Sequence, residues 1–487
     1  MIYKPTIGLE IHVELDTKSK MFCSCKNDPL EKRPNFNICP VCTAQPGTLP
    51  VANKEAIKKT IKAGLALNCK INLRSKFDRK NYFYPDLPKG YQISQYDMPF
   101  AEKGHLVLDQ KKIRITRIHL EEDTGKLIHQ GSDSLVDFNR AGVPLMEMVT
   151  EPDMDSGKEA RKFAQELQLI FRYLNISKAD MEKGQMRVEV NISLSKDKNL
   201  GTKVEIKNLN SFKSVERGVD YEIERQKELL EKGEKVIQET RGWNDKKQIT
   251  VSQREKEQAH DYRYFPEPDL PPFNFNNDFI NSIKSEIPEL PWTKRIRLKQ
   301  EYGLDNQTIE IFVYNKDLGE YFEKAMSELK NWIKETDIKE KVGDTEYEKL
   351  INLGSNYIIT DFWSLFGKVD IKELENKVKP ENFAELIKMI YKQEISSKVA
   401  KNILPVMFNT GGDPSNIVKE RGLAQVSDSR EIEKVVKEII SKNPKPVEDF
   451  KKGKQNALQY LTGQVMAKTK GKAKPDIVQE LLKRELK

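Results

Sequence analysis

Residues 6–15 alternate without a break. Ile7, Leu9, Ile11, Val13 and Leu15 are apolar, and Gly8, Glu10, His12 and Glu14 fall between them. A side-chain period of two belongs to a β-strand, so this stretch predicts a strand with one buried face and one polar face. Residues 186–194 follow the same plan. Met186, Val188, Val190, Ile192 and Leu194 lie on one side, with Arg187, Glu189, Asn191 and Ser193 on the other. Residues 202–207 repeat it, with Val204 and Ile206 inward and Lys203, Glu205 and Lys207 outward. The short connection between these two segments predicts an antiparallel hairpin. A sheet that is greasy on one face and polar on the other is expected to be antiparallel. The polar face is either merely solvated or a site for a metal and a polyphosphate.

Residues 117–126 read Arg-Ile-His-Leu-Glu-Glu-Asp-Thr-Gly-Lys and place three adjacent carboxylates, Glu121, Glu122 and Asp123, after His119. Like charges so close are tolerated best with a cation among them, and hard oxygen ligands suit Mg²⁺. A solvated acidic turn at a strand end is the other reading. Upstream, Ile113 and Ile115 share one parity while Ile118 and Leu120 have the opposite one. One extra residue near Thr116 or Arg117, a β-bulge, restores the pattern, and bulges re-aim side chains beside active sites. Glu147 sits in the apolar run Leu145-Met146-Glu147-Met148-Val149, which is costly unless the carboxylate has a partner. Glu10 and His12, two apart on a strand, share a side.

Four of the five cysteines fall as Cys23-x-Cys25 and Cys39-Pro-Val-Cys42. The N-terminus lacks a signal-peptide core, and no apolar run approaches the ~20 residues that span a bilayer, so a cytosolic protein off the membrane is expected. In a reducing compartment paired cysteines point to metal, and four thiolates close a structural Zn²⁺ site with no open position. A redox role for Cys39 and Cys42 lacks a surrounding βαβ pattern. The loop that carries them holds Pro34, Pro40, Pro46, Gly47 and Pro50, and needs a staple.

Elsewhere the periodicity predicts helices over 53–67, after an Asp155 or Ser156 cap, and over 212–232 ending at Gly233. Residues 75–86 interleave basic and aromatic side chains, a mixture that can pair phosphates and stack a base or can form an ordinary strand and turn. Pro288 and Pro291 mark the end of a first domain. Residues 293–407 read as helical. From about 408 three lysine-laced helices follow, near 429–441, 446–469 and 475–486, broken by Gly411-Gly412, Pro444 and Lys470-Gly471. The expected class is α+β: an antiparallel-sheet cradle domain (1–292), an all-α domain (293–407) and a small all-α tail (408–487). With a net charge of +8, the chain suits a polyanion such as nucleic acid, or carries a lysine-rich surface. There is no Walker loop, dinucleotide fingerprint or kinase catalytic loop.

Five stretches, residues 8–15, 79–86, 119–126, 205–212 and 261–269, together resemble the amidating (GatB) subunit of the bacterial Asp/Glu-tRNA amidotransferases, over essentially the whole chain. That resemblance implies a cradle, a helical domain and a tail that binds tRNA. It implies ATP-dependent amidation of Glu or Asp misacylated on tRNA, through an acyl phosphate. Ammonia would come from a separate glutaminase subunit, and a further small subunit would complete the complex. It further implies Mg²⁺ ligands among Glu10, His12, Glu121 and Glu122. Glu147, Glu189 and Glu205 would be further catalytic carboxylates, and Lys80, Arg140 and Lys207 phosphate-binding cations. Where the family commonly shows Arg-Cys-Asp-x-Asn, this chain has Arg187-Val188-Glu189-Val190-Asn191. Some members lack the four cysteines, so Zn²⁺ at Cys23, Cys25, Cys39 and Cys42 would be structural. The competing expectations are a non-catalytic zinc-containing RNA-binding protein, against which the acidic face speaks, and a stand-alone kinase of small carboxylates, against which the basic tail speaks.

Overall fold

The computed structural model describes all residues except 1–2, 198, 256–261, 367–372, 424–428, 470–472 and 487. Asp261 of the last family stretch, and Lys470 and Gly471, lie outside the described residues. The chain forms two compact units, Met1–Pro291 and Trp292–Lys487.

The first unit is built on a nine-stranded sheet with β1 (Lys4–Glu14) near its middle. Short strands follow as β2 (Lys70–Ile71), β3 (Arg74–Ser75), β4 (Asp78–Asn81) and β5 (Tyr91–Ser94). The next are β6 (Ala101–Leu108), β7 (Lys111–Glu122), β8 (Lys126–Gln130), β9 (Asp133–Asp137) and β10 (Pro144–Thr150). β11 (Met186–Ser195), β12 (Val204–Leu209), β13 (Glu239–Asn244), β14 (Ile249–Glu255), β15 (Phe265–Pro266) and β16 (Phe273–Asn274) complete the set. The order in the large sheet is β14-β13-β12-β11-β1-β10-β7-β6-β2. β11 and β12 pair antiparallel as expected. The expected antiparallel sheet has one exception among its described pairings, because β12 and β13 pair parallel. Parallel neighbours need a long crossover, and helix α3, introduced below, supplies it.

The apolar parity of β1 is buried to the last residue: Ile7, Leu9, Ile11, Val13 and the following Leu15 are at most 1% exposed. Helices cover this side. α1 (Lys54–Ala66), capped by the Asn53 side chain, packs on β6 and β7. α2 (Gly157–Tyr173) starts at Ser156, whose hydroxyl accepts from the Glu159 amide, and buries Ala160, Phe163, Ala164, Leu167 and Phe171. α3 (Phe212–Glu231), capped by Ser211, lies against β11, β12 and β14 and beside α2. A short α4 (Asn277–Ser285) follows. The predicted bulge is present: Val149 opposes Arg117 and Thr150 opposes Ile115, leaving Thr116 as the extra residue of β7. β4 pairs with β5 and β15 in a separate small sheet, which brings residues 79–81 against 262–266.

The second unit is helical. It comprises α5 (Pro291–Tyr302), α6 (Asn306–Tyr314), α7 (Lys316–Lys334), α8 (Thr345–Asn356), α9 (Trp363–Phe366), α10 (Leu374–Lys377), α11 (Pro380–Tyr391), α12 (Ser397–Thr410) and α13 (Pro414–Glu420). A π-helical stretch, Tyr357–Phe362, sits between α8 and α9. Phe312, Val313, Leu318, Tyr321 and Phe322 are all buried, and the Phe312 and Phe322 rings stack at 4.4 Å. The last helices, α14 (Ser429–Lys442), α15 (Pro444–Lys451), α16 (Gln455–Lys468) and α17 (Pro475–Leu486), share a hydrophobic cluster that includes Val436, Leu461, Val465 and Leu482. The expected helix over 446–469 is two. It breaks at Gly453, whose φ of +89° is left-handed and stops a helix. No helix among the described residues is long and apolar enough to cross a membrane.

Candidate active site on the polar face of the sheet

Register turns the polar residues of four strands into one row. Arg187 of β11, His12 of β1, Glu147 of β10 and His119 of β7 stand directly opposite one another in that order. Antiparallel partners sit roughly 4.5–5.5 Å apart at Cβ on the same face, so their side chains meet. His12 Nε2 lies 3.3 Å from Glu147 Oε2 and 3.8 Å from Glu10 Oε1. His119 Nε2 lies 3.4 Å from the same Glu147 oxygen and 3.6 Å from Glu121 Oε2. Glu189 stands opposite Glu10. Lys207 Nζ bonds Glu189 at 2.9 Å and reaches Glu205 at 3.6 Å, and Glu205 accepts from the Thr240 hydroxyl at 2.6 Å.

Three sets of donors have mutual distances within 4.8 Å: Glu10, His12 and Glu147; His119, Glu121 and Glu147; and Glu10, Glu189 and Glu205. Glu147 belongs to the first two, and Glu10 to the first and third. This donor set, carboxylate oxygens with imidazole, fits a hard divalent cation. Five carboxylates (Glu10, Glu121, Glu147, Glu189 and Glu205) face the permanent cations Lys80, Arg117 and Lys207, with Arg187 of the same row acting on Glu121. His119 Nδ1 is buried without a hydrogen-bond partner among the described residues.

The protonation equilibria follow from this crowding. Burial, and then the charge of Glu147, hold the Glu10 carboxyl above its ordinary value, with His12 opposing them. Burial alone would depress the His12 imidazole. The hydrogen bond and charge of Glu147, with Glu121 and Glu189, outweigh it and raise His12 to about 9. Burial would also raise Glu121, but the His119 hydrogen bond and Lys80 pull it below the usual range. Lys80, delivered by β4, has its ammonium 5.0 Å from the centre of the Tyr262 ring. Against burial, Glu121 and Glu147 hold that lysine above its ordinary value.

The structure brings together Glu10, His12, Glu121, Glu147, Glu189, Glu205, Lys80 and Lys207. It separates Glu122 from them. Glu122 follows Ile118 and Leu120 to the opposite side, where its carboxylate accepts from the Ile93 amide at 2.9 Å and pairs with Lys89 at 2.8 Å. There Glu122 and Lys89 border a cavity of about 190 Å³ with Tyr91, Cys23 and Cys42. Glu122 is thus removed from the expected ligand set, because consecutive strand residues point to opposite faces. Arg140 is largely committed to the backbone. It donates to the carbonyls of Thr124 at 3.0 Å and Gly125 at 2.7 Å, with Asp123 3.7 Å away. It fixes the turn after β7 and is not free to meet a phosphate with its whole fork.

Sequence reasoning did not single out His119, Arg117, Arg187 or Glu14 as site residues, and took Asp123 only as part of the acidic run. Arg187 donates to Asp123 at 2.6 Å. Burial, then the Asp123 charge, push Glu14 up to about 7, with Arg187 and Arg140 pulling the other way. The parity that selected Glu10 and His12 also selects Glu14, and the parity of β7 selects His119.

The four cysteines converge although nothing but loop connects them. Cys42 Sγ lies 3.5 Å from Cys23, 3.5 Å from Cys39 and 3.7 Å from Cys25. A tetrahedron with Zn–S bonds of about 2.3 Å has edges of about 3.8 Å, so the cluster fits a closed tetrathiolate centre. Cys69 is buried and apart.

A two-unit chain with a β-sheet cradle and a helical remainder matches known families in both parts. The GatB/GatE catalytic domain covers residues 5–281, and the GatB domain covers residues 345–486. Curated relatives extend the match over the whole chain. The GatB subunit of the aspartyl/glutamyl-tRNA(Asn/Gln) amidotransferase from Thermotoga maritima is 47% identical across 100% of this chain and 99% of its own length. That of Persephonella marina is 47% identical across 100% of both, and that of Carboxydothermus hydrogenoformans 44% across 99% of both. The chain belongs to the GatB family of aspartyl/glutamyl-tRNA amidotransferase subunits.

Proposed function

We propose that this chain is the amidating subunit of a tRNA-dependent amidotransferase, acting on Glu or Asp esterified to tRNA. A side-chain carboxylate oxygen of the aminoacyl-tRNA attacks the γ-phosphorus of ATP, and ADP leaves. Ammonia then attacks the acyl-phosphate carbonyl, and inorganic phosphate leaves with the C–O bond as the C–N bond forms. The observation that carries this reading is the chain of three overlapping donor sets joined through Glu147 and Glu10. Mg²⁺ held by Glu10, His12 and Glu147, with Glu121 beside them, would screen phosphate charge during transfer.

The chain's own groups then have distinct tasks. Lys80 and Lys207 approach the cluster from opposite sides and offset the charge of incoming phosphates. His119 braces Glu147 from β7 and separates its charge from that of Glu121. Glu189 and Glu205 hold Lys207 in place. Arg140 keeps the turn at residues 123–125 in position. The four cysteines hold a structural Zn²⁺. The tail, residues 408–487, grips tRNA phosphates, and residues 1–292 and 293–407 form the cradle and helical domains. We assign ammonia supply to a partner glutaminase subunit, with a further small subunit in the complex, and place the complex in the cytoplasm.

The test is whether ADP release depends on charged tRNA. With ammonia and Mg²⁺, Glu-tRNA(Gln) or Asp-tRNA(Asn) should stimulate ATP turnover and yield the amide, whereas uncharged tRNA should not. ATP turnover indifferent to charging, or absent with both tRNAs, would overturn the assignment; a non-catalytic RNA-binding protein predicts the second result.

A further inference from the structure

Lys20 is wholly buried, yet its ammonium has no carboxylate at ion-pair distance among the described residues. It reaches the Phe138 carbonyl at 3.1 Å and the Cys42 Sγ at 3.7 Å. A buried ammonium beside one neutral carbonyl is costly, so an anion must compensate it. The nearest candidate is the cysteine cluster. Four thiolates around one divalent ion sum to two negative charges, and Lys20 touches Cys42, whose Sγ lies within 3.7 Å of the other three.

We infer that Lys20 is the built-in counter-cation of the tetrathiolate centre and ties that centre to the segment supporting the active-site turn. The inference rests on the reading of the four cysteines as a zinc centre. The link runs through both ends of residues 138–142. Lys20 holds the Phe138 carbonyl, and the neighbouring Met21 amide donates to the Gly142 carbonyl at 2.6 Å. The Gly142 amide in turn donates to the Asp123 carbonyl at 2.9 Å, and Arg140 holds the carbonyls of Thr124 and Gly125. Gly142 itself has a φ of +79°, which favours glycine at this junction. Lys20 touches no reacting atom, so its role is positioning. Groups that hold the ligands of a metal tune its retention, typically by about 10-fold or more.

A lysine that merely fills space would behave differently from a counter-cation, and the difference is one of sign. In the full-length chain, Lys20→Met should release Zn²⁺ to a chelator at least about 10-fold faster than the parent. Lys20→Arg should retain part of the parent's hold. In a Cys42→Ser background, where the cluster cannot close, the ammonium is left uncompensated. There Lys20→Met should raise the melting temperature, although it lowers it in the parent. Unchanged zinc release in Lys20→Met, or the same sign of melting shift in both backgrounds, would overturn the assignment of Lys20 while leaving the zinc centre standing. A parent chain that purifies without about one equivalent of zinc and takes none up would overturn the zinc reading and the Lys20 assignment with it. Should Lys20→Met fail to fold in the parent, zinc release from Lys20→Arg and the melting shift in the Cys42→Ser background decide the matter. Equal release from Lys20→Arg and the parent, together with a lowered melting temperature in that background, sinks the inference.

Discussion

Glu147→Gln is the substitution whose consequences the structure specifies most closely. Glu147 is 5% exposed and shares one carboxylate oxygen between His12 at 3.3 Å and His119 at 3.4 Å. Burial works to neutralise His12, and Glu147 is the first influence opposing it, so the imidazole stands at about 9 against an ordinary 6.5. A base held above its unfolded value stabilises the fold at low pH. The contribution is full below about 6.5 and vanishes as pH rises through about 9. A difference of about 2.5 units at 1.36 kcal/mol each amounts to about 3 kcal/mol. With glutamine in place of the carboxylate, only the charges of Glu121 and Glu189 oppose burial, and most of that contribution is lost. Urea denaturation of the full chain in EDTA should therefore show the variant weaker by at most about 3 kcal/mol at pH 6. The gap should shrink steadily toward pH 10. A penalty that stays level across this range would mean that the His12–Glu147 pair is not charged in the folded protein. The same variant should bind tRNA normally and lose tRNA-dependent ATP hydrolysis.

Glu121 and Glu122 should part company. Glu121→Gln should weaken Mg²⁺ activation, with partial rescue at high Mg²⁺, whereas Glu122→Gln should leave the Mg²⁺ concentration for half-activation unchanged; equal shifts in both would contradict the facing of β7. Glu14, raised to about 7 by burial and Asp123, costs stability as pH climbs from about 4.5 through 7, so Glu14→Gln should stabilise the chain above pH 7 by at most about 3 kcal/mol and change nothing at pH 4, as thermal melts at the two pH values would report. Deleting residues 429–487, which carry the tail's own hydrophobic cluster, should weaken tRNA binding and flatten its dependence on salt, while ammonia-dependent amidation at saturating tRNA largely survives. Normal tRNA affinity in that truncation would remove the tail from tRNA binding.

Two kinds of information shaped this site, and only one of them is local. Period-two alternation is local, so the faces of β1, β11 and β12 could be read from the chain, with Glu10, His12, Glu189, Glu205 and Lys207 all assigned to the polar side before any fold was known. The bulge could be read too, because the parity of Ile118 and Leu120 conflicts with that of Ile113 and Ile115, and Thr116 absorbs the difference. That same parity already separates Glu121 from Glu122. Ile118 and Leu120 are buried in the core, so Glu122 must share their side, and Glu121 must share the side of His119. Treating the acidic run as one unit hid this, and hid His119 with it.

The remainder depends on contacts far apart in sequence. Lys80 enters the cluster because β4 is held in its small sheet between β5 and residues 265–266. Arg140 looks like a free cation until the carbonyls of Thr124 and Gly125 close on it. The parallel pairing of β12 with β13 spans the whole of α3, and no period within either strand distinguishes it from an antiparallel neighbour. Cross-strand register is the deeper case. His12 and Glu147 lie 135 positions apart, and a slip of one residue between β1 and β10 would put Glu147 on the apolar face. Burying Ile11 and Val13 beside Met146 and Met148 forbids that slip, because it would expose two apolar pairs to solvent. The greasy side of the sheet therefore sets which carboxylate meets which imidazole on the polar side. The cost of gathering so many like charges there is met by the packing beneath them.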